Sequence, residues 1–207
     1  MRGLFERYPQ LESCRFSIET ARDLLIDTYS NGGKVLVCGN GGSCADSEHI
    51  VGELMKGFLL KRPVGVAFTA QMKEQGFTDA EYITANLQGA LPAISLASQS
   101  AILSAFANDV AADMVYAQMV YGYGTEKDVL IGLSTSGNSK NVVYAVKVAK
   151  AKKMKTIAFT GAKDSQLSEI CDVAIRVPEI ETYKIQELHL PVYHYLCSEV
   201  EKAFWVE

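Results

Sequence analysis

Paired cysteines, a surplus of cations, long apolar runs and an abundance of histidine are all missing from this chain of 207 residues. The five cysteines (Cys14, Cys38, Cys44, Cys171, Cys197) are odd in number and scattered. None stands at CxxC or metal-knuckle spacing, so they read as reduced thiols and speak against a cysteine-built zinc site. A net charge of -4 gives no global attraction to nucleic acid. The longest apolar runs are of strand length, short of the ~20 residues of a membrane span. The opening MRGLFERYPQLESCRF is polar and lacks the apolar core of a signal peptide, so the chain is expected to be cytoplasmic. No GK[ST] follows its glycines and GNGGS is not GxGxxG, which disfavours the ordinary nucleotide folds. No repeat or low-complexity linker divides it.

What is there is an alternation. Lys34–Gly39, Leu91–Ala97, Asp128–Ser134, Lys155–Gly161 and Asp172–Pro178 are short apolar runs rich in β-branched residues, separated by longer helical stretches. Strands apolar on both faces and alternating with helices predict a parallel sheet covered on both sides. With right-handed crossovers this is a three-layer α/β sandwich, a flavodoxin-like parallel sheet of five strands. Residues 1–30 and the stretch Glu181–Phe204 read as extra N- and C-terminal helices, with Pro191 expected to kink or interrupt the latter. Residues 62–88 fit no sheet role and read as an inserted helical hairpin or lid. The 207 residues suit one domain.

Two loops are built for close approach. Gly39-Asn40-Gly41-Gly42-Ser43 joins a strand to a helix, whose N-terminus attracts anions; a capped tight turn explains this loop equally well. Ser134-Thr135-Ser136-Gly137-Asn138-Ser139 places four hydroxyls at the carboxyl end of a strand, where ligands of open α/β sheets bind. One helix cap needs only one of them, so this loop reads as a phosphate cradle that needs no lysine or arginine.

GNGGS, LSTSGNS, the FAND at Phe106–Asp109 and ETYKIQELHLPVYH together resemble the phosphoheptose isomerases of the SIS (sugar isomerase) superfamily. The resemblance runs from about Asn31 to the C-terminus, apart from residues 62–88. It implies that Ser134, Thr135, Ser136 and Ser139 hold a sugar phosphate. It further implies that Asn40, Gly41, Ser43, Asp109 and Gln186 bind the substrate.

His49 and Glu53 stand four apart on one helix face, a spacing that serves either a divalent ion or an acid/base pair. Such a pair alone is more often a surface contact. Only three histidines exist, however, and His189 and His194 lie together beside Gln186 and Glu187. The resemblance implies that His49, Glu53, Gln186 and His194 coordinate one zinc ion, and that Glu53 and His194 are catalytic and move the protons. Along a straight helix Gln186 and His194 stand ~12 Å apart. Their meeting needs long reaches, a distortion at Pro191 or ligands from another subunit. His189 is the alternative ligand, with helix packing its preferred reading.

Three positions depart from the family pattern: Tyr183 where an acidic residue is usual, Lys56 in place of a basic residue found nearby, and the long segment 62–88. The expected activity is aldose-ketose isomerisation of a sugar phosphate such as sedoheptulose 7-phosphate, with a different ketose phosphate as an alternative. A non-catalytic SIS regulator is the rival reading, but such relatives lose the residues that Glu53 and His194 retain here. A DNA-binding SIS regulator is disfavoured by the acidic charge and by the thirty residues available at the N-terminus. The resemblance also implies a homotetramer with active sites between subunits; the aromatics Tyr193, Tyr195, Phe204 and Trp205 enrich one end of the chain, with ordinary core packing as the other reading of them.

Overall fold

Residues 3–205 are described by the computed structural model. The chain opens with a helical turn, α1 (Leu4–Arg7), a 3-10 segment that starts at Pro9, and the amphipathic α2 (Arg15–Ser30). Then follow β1 (Val35–Gly39), α3 (Gly42–Met55), α4 (Val66–Glu74), α5 (Ala80–Asn86), β2 (Ala93–Ser95), α6 (Ser100–Phe106), α7 (Val115–Tyr123) and β3 (Val129–Leu133). The remainder is α8 (Lys140–Ala151), β4 (Lys155–Thr160), α9 (Gln166–Ile170), β5 (Val173–Arg176) and α10 (Thr182–Phe204). The five strands pair in parallel in the order β2-β1-β3-β4-β5. All five predicted strands form. The second is the shortest, because the chain turns into a 3-10 segment at Leu96–Ser98.

Side chains alternate across a strand, so each apolar run feeds two cores. Val35, Val37, Ile131, Leu133 and Phe159 face a layer made by α2, α3 and α10. Leu36, Cys38, Leu130 and Ala158 face the layer of α7, α8 and α9. The result is the three-layer flavodoxin-like sandwich expected, with β3 at its centre between β1 and β4.

One expectation is corrected. Pro191 does not interrupt the last helix, which runs unbroken from Thr182 to Phe204. The proline costs one donor, for the Glu187 carbonyl, while Val192 and Tyr193 beside it are anchored in the core. Within one chain, three aromatics near its C-terminal end pack against the fold. Tyr193 is buried, Tyr195 packs on the core, and Trp205 lies under the Arg62 guanidinium at 4.8 Å.

Segment 62–88 is a helical hairpin, α4 and α5, joined by a Thr69–Thr84 hydrogen bond and closed at its base by an antiparallel bridge between Pro63 and Gln88. Its base is clamped. The fully buried Glu201 carboxylate accepts from the amides of Phe58, Leu59 and Leu60 and from Arg62 Nε. Arg62 in turn donates to the carbonyls of Leu54 and Glu53, at the end of α3. Among the described residues, no helix is long and apolar enough to cross a membrane.

Candidate active site

In the observed strand order, β1 leads to β2 on one side and β3 lies on the other. The loops leaving the carboxyl ends of β1 and β3 therefore flank the topological switch point, where open parallel sheets bind ligands. These are the two small-residue loops. They are tied together by a reciprocal amide pair, Asn40 with Asn141, both bonds 2.9 Å. Gly41 takes φ +56°, a conformation open to glycine, and starts α3 directly. Ser43 is buried one residue into that helix.

In the second loop the Oγ atoms of Ser134 and Ser139 are 2.9 Å apart, with Ser136 Oγ 3.5 Å from Ser134. Ser139 precedes α8 without capping it through its side chain, which leaves first-turn amides available to an anion. Gly137 has φ +65°, and a Cβ there would lie 2.0 Å from Ser165 Oγ. The loop is thus wedged against the start of α9. Thr135, Ser136 and Asn138 line one side of a cavity of about 200 Å³, with Lys163, Glu179 and Thr182 opposite.

Two helical turns along α3, His49 and Glu53 meet His194 of α10. His49 Nε2 is 3.1 Å from Glu53 Oε1 and 3.4 Å from His194 Nε2, and one ligand atom from each residue lies within 4.8 Å of the others. A proton on His49 Nε2 can be shared with only one of these neighbours. A divalent cation satisfies all three. Nitrogen and oxygen ligands at ~2.1 Å in a tetrahedron stand ~3.4 Å apart, close to the 3.1 and 3.4 Å that separate His49 Nε2 from its two neighbours. Glu53 Oε2 is buried without a hydrogen-bond partner, Lys56 Nζ standing 3.7 Å away. The donor set fits a zinc-type ion. Burial, then the neighbouring His49, pushes the His194 imidazole below its ordinary pKa, favouring the neutral form a ligand or base needs.

The remaining predicted residues are placed differently. Gln186 sits eight residues before His194 on an uninterrupted helix, and its amide lies against the β1 loop, where a Cβ on Gly42 would come within 2.6 Å of Nε2. One chain brings three of the four predicted ligands together and leaves Gln186 by the β1 loop. Asp109 is exposed in the wide-turn segment Ala107–Ala111, where it accepts from Asn108 at 2.8 Å. His189 is fully buried, edge-on to Phe159, with Nε2 3.4 Å from the Thr160 carbonyl. Burial pushes it down to about 4, and it packs the helix outside the His49 group.

The sequence did not point to three neighbours of this group: Tyr193, whose hydroxyl meets the far side of His49, Asp46, which accepts from that hydroxyl, and Phe58, whose ring is 5.5 Å from His194. Arg7 and Tyr8 also line a small cavity beside His194. Asp46 stands one turn before His49 on α3, a legible spacing; the others come close only through tertiary packing.

Comparison with known proteins decides the family. Two family models, each described as SIS domain, match this chain, one over residues 9–89 and the other over residues 93–195. The phosphoheptose isomerase of Nitratiruptor sp. is 37% identical over 93% of this chain and 89% of its own length. That of Helicobacter pylori strain P12 is 37% identical over 94% and 88%. The chain belongs to the phosphoheptose isomerase family. A solved phosphoheptose isomerase from Francisella tularensis superposes with a TM-score of 0.76 at 30% identity, covering 96% of this chain and 94% of that one. The chain is accordingly a sugar-phosphate isomerase of the aldose-ketose class, built on the SIS fold.

Proposed function

We propose that this phosphoheptose isomerase family member converts sedoheptulose 7-phosphate to D-glycero-D-manno-heptose 7-phosphate through an enediol. The observation that carries the reading is the convergence of His49, Glu53 and His194, two turns along the helix that starts at the substrate loop. Ser134, Thr135, Ser136 and Ser139 hold the phosphate with hydroxyls and helix-end amides. Asn40, Gly41, Ser43, Asp109 and Gln186 contact the sugar. His49, Glu53, Gln186 and His194 hold one zinc ion, which when bound polarises the substrate carbonyl and favours negative charge on its oxygen.

Glu53 removes a proton from C1 of the open-chain ketose, leaving an enediolate with its charge on O2. The neutral His194 carries the proton of O1 across to O2 as Glu53 returns its own proton to C2, leaving the aldose. The count balances: one proton moves from carbon to carbon and one from oxygen to oxygen. The half-buried Glu53 carboxylate, with one oxygen unpartnered, suits a base that must change protonation in each half-reaction.

The single SIS domain, residues 1–207, works as a cytoplasmic homotetramer with active sites between subunits. Support comes from Gln186, which lies ~12 Å from His194 along one straight helix, so that the fourth ligand is supplied by a second copy. The test is turnover of sedoheptulose 7-phosphate, followed by NMR of the aldose, with zinc present and after chelation. Conversion that stops on chelation and returns with zinc is expected. Conversion indifferent to chelation would refute the metal role, and no conversion in either condition would refute the substrate.

A further inference from the structure

His49 offers its ring to two different environments. Its Nε2 faces Glu53 and His194, while its Nδ1 is 3.0 Å from the hydroxyl of Tyr193. That hydroxyl is also 3.2 Å from Asp46 Oδ1. Tyr193 is buried, and its ring stands edge-on to both His49 and His194 at centroid distances of 5.4 and 5.0 Å. Asp46 and His49 share one face of α3, three residues apart.

Hydrogen counting picks one arrangement. A phenol has a single proton to donate and a carboxylate can only accept. With the Tyr193 proton on Asp46, the phenol oxygen turns its lone pairs to His49 Nδ1, which must then carry the ring proton. Nε2 is left bare toward Glu53 and His194. Without the tyrosine, His49 gains by protonating Nε2 instead and donating across 3.1 Å to the Glu53 carboxylate. That tautomer closes the position a cation takes. We infer that Tyr193, braced by Asp46, is a positioning residue that holds His49 in its Nδ1–H tautomer and so keeps Nε2 open for metal.

This inference rests on the metal reading given above. It adds a residue from outside the predicted ligand set, and it accounts for the buried Tyr193 hydroxyl placed between Asp46 and His49. Partners on the second nitrogen of a ligating histidine typically change metal affinity by about 10–100-fold.

The test compares the wild-type protein with Tyr193→Phe in two readouts. Zinc affinity is measured by competition with a chromophoric chelator, and the His49 tautomer by 15N NMR of the imidazole in the metal-free protein. The expected result is a wild-type His49 protonated at Nδ1 and a Tyr193→Phe protein that shifts toward Nε2–H and binds zinc about 10–100-fold more weakly. The wild-type tautomer is read without any substitution, so poor folding of the variant does not remove the test. His49 protonated at Nε2 in the metal-free wild type, or equal zinc affinity in the two proteins, overturns the role of Tyr193 and leaves the site standing. A wild type that binds no zinc while showing Nδ1–H overturns the metal reading instead.

Discussion

Replacing Glu201 by alanine removes the acceptor on which the base of the hairpin is built. Its two oxygens receive four donors: Phe58 N at 2.7 Å, Leu59 N at 2.8 Å, Leu60 N at 3.0 Å and Arg62 Nε at 2.8 Å. Both Glu201 and Arg62 side chains have no exposed surface. After the substitution Arg62 keeps its bonds to the Leu54 and Glu53 carbonyls but has no counter-charge. Breaking a buried pair on one side costs about 3–5 kcal/mol, because a charge is left desolvated and unpaired. At roughly 2–4 °C per kcal/mol for a domain of this size, the midpoint of thermal unfolding falls by ~6–20 °C. Circular dichroism melts at one fixed protein concentration measure it, with urea titrations as a second route. The double variant Arg62→Met with Glu201→Leu recovers much of the loss, since apolar replacement of a whole buried pair is often close to neutral. Because Arg62 holds the end of the helix that carries Glu53, the alanine variant also loses turnover before it unfolds. A melting shift below about 2 °C for Glu201→Ala would refute the reasoning, as it would mean that the pair is dispensable.

Three further outcomes are expected. Glu53→Gln lowers turnover by about 10²–10⁴-fold while binding of a non-isomerisable phosphate ester, measured by calorimetry, is retained; near-normal turnover would remove Glu53 from proton transfer. Burial holds the His189 imidazole at about 4, below its ordinary 6.5, so it stays neutral in the fold while the unfolded chain takes up a proton first. Its contribution is therefore complete above about pH 6.5 and fades as pH falls toward 4, by up to about 3 kcal/mol. The stability gap between pH 7 and 4.5 should shrink in His189→Leu, and an unchanged gap would count against the buried neutral form. Gly137→Ala forces a Cβ to within 2.0 Å of Ser165 Oγ at φ +65°. It should cost more than about 1 kcal/mol and raise KM by displacing the loop proposed to hold the phosphate, so a variant with unaltered melting and KM would contradict the wedge described.

The sheet was legible because its evidence is local. Runs such as Val35–Cys38 and Val129–Leu133 are apolar on both faces, and only a strand covered on both sides buries such a run. The helical excursion at 62–88 was legible for the opposite reason, since its mixed polarity offered no strand to the sheet. Pro191 misled, because propensity rules describe a helix in isolation and α10 is held by Val192, Tyr193 and Leu196 in the core on either side of the missing bond. In the site, His49 and Glu53 were readable as a pair since four residues of helix put them on one face.

By itself, then, the sequence determined the elements, the two small-residue loops and the HxxxE face, all of which follow from patterns within about ten residues. The tertiary structure alone decided that the β1 and β3 loops share a switch point, since strand order is set by crossover packing. It brought His194 rather than His189 to His49, because one face of α10 packs its core-facing histidine on Phe159 and turns the other toward α3. It alone placed Tyr193 and Asp46 behind that histidine, and sealed Arg62 against Glu201 across 139 residues. Such contacts leave no local signature, because their partners are chosen by the packing of helices far apart in the chain.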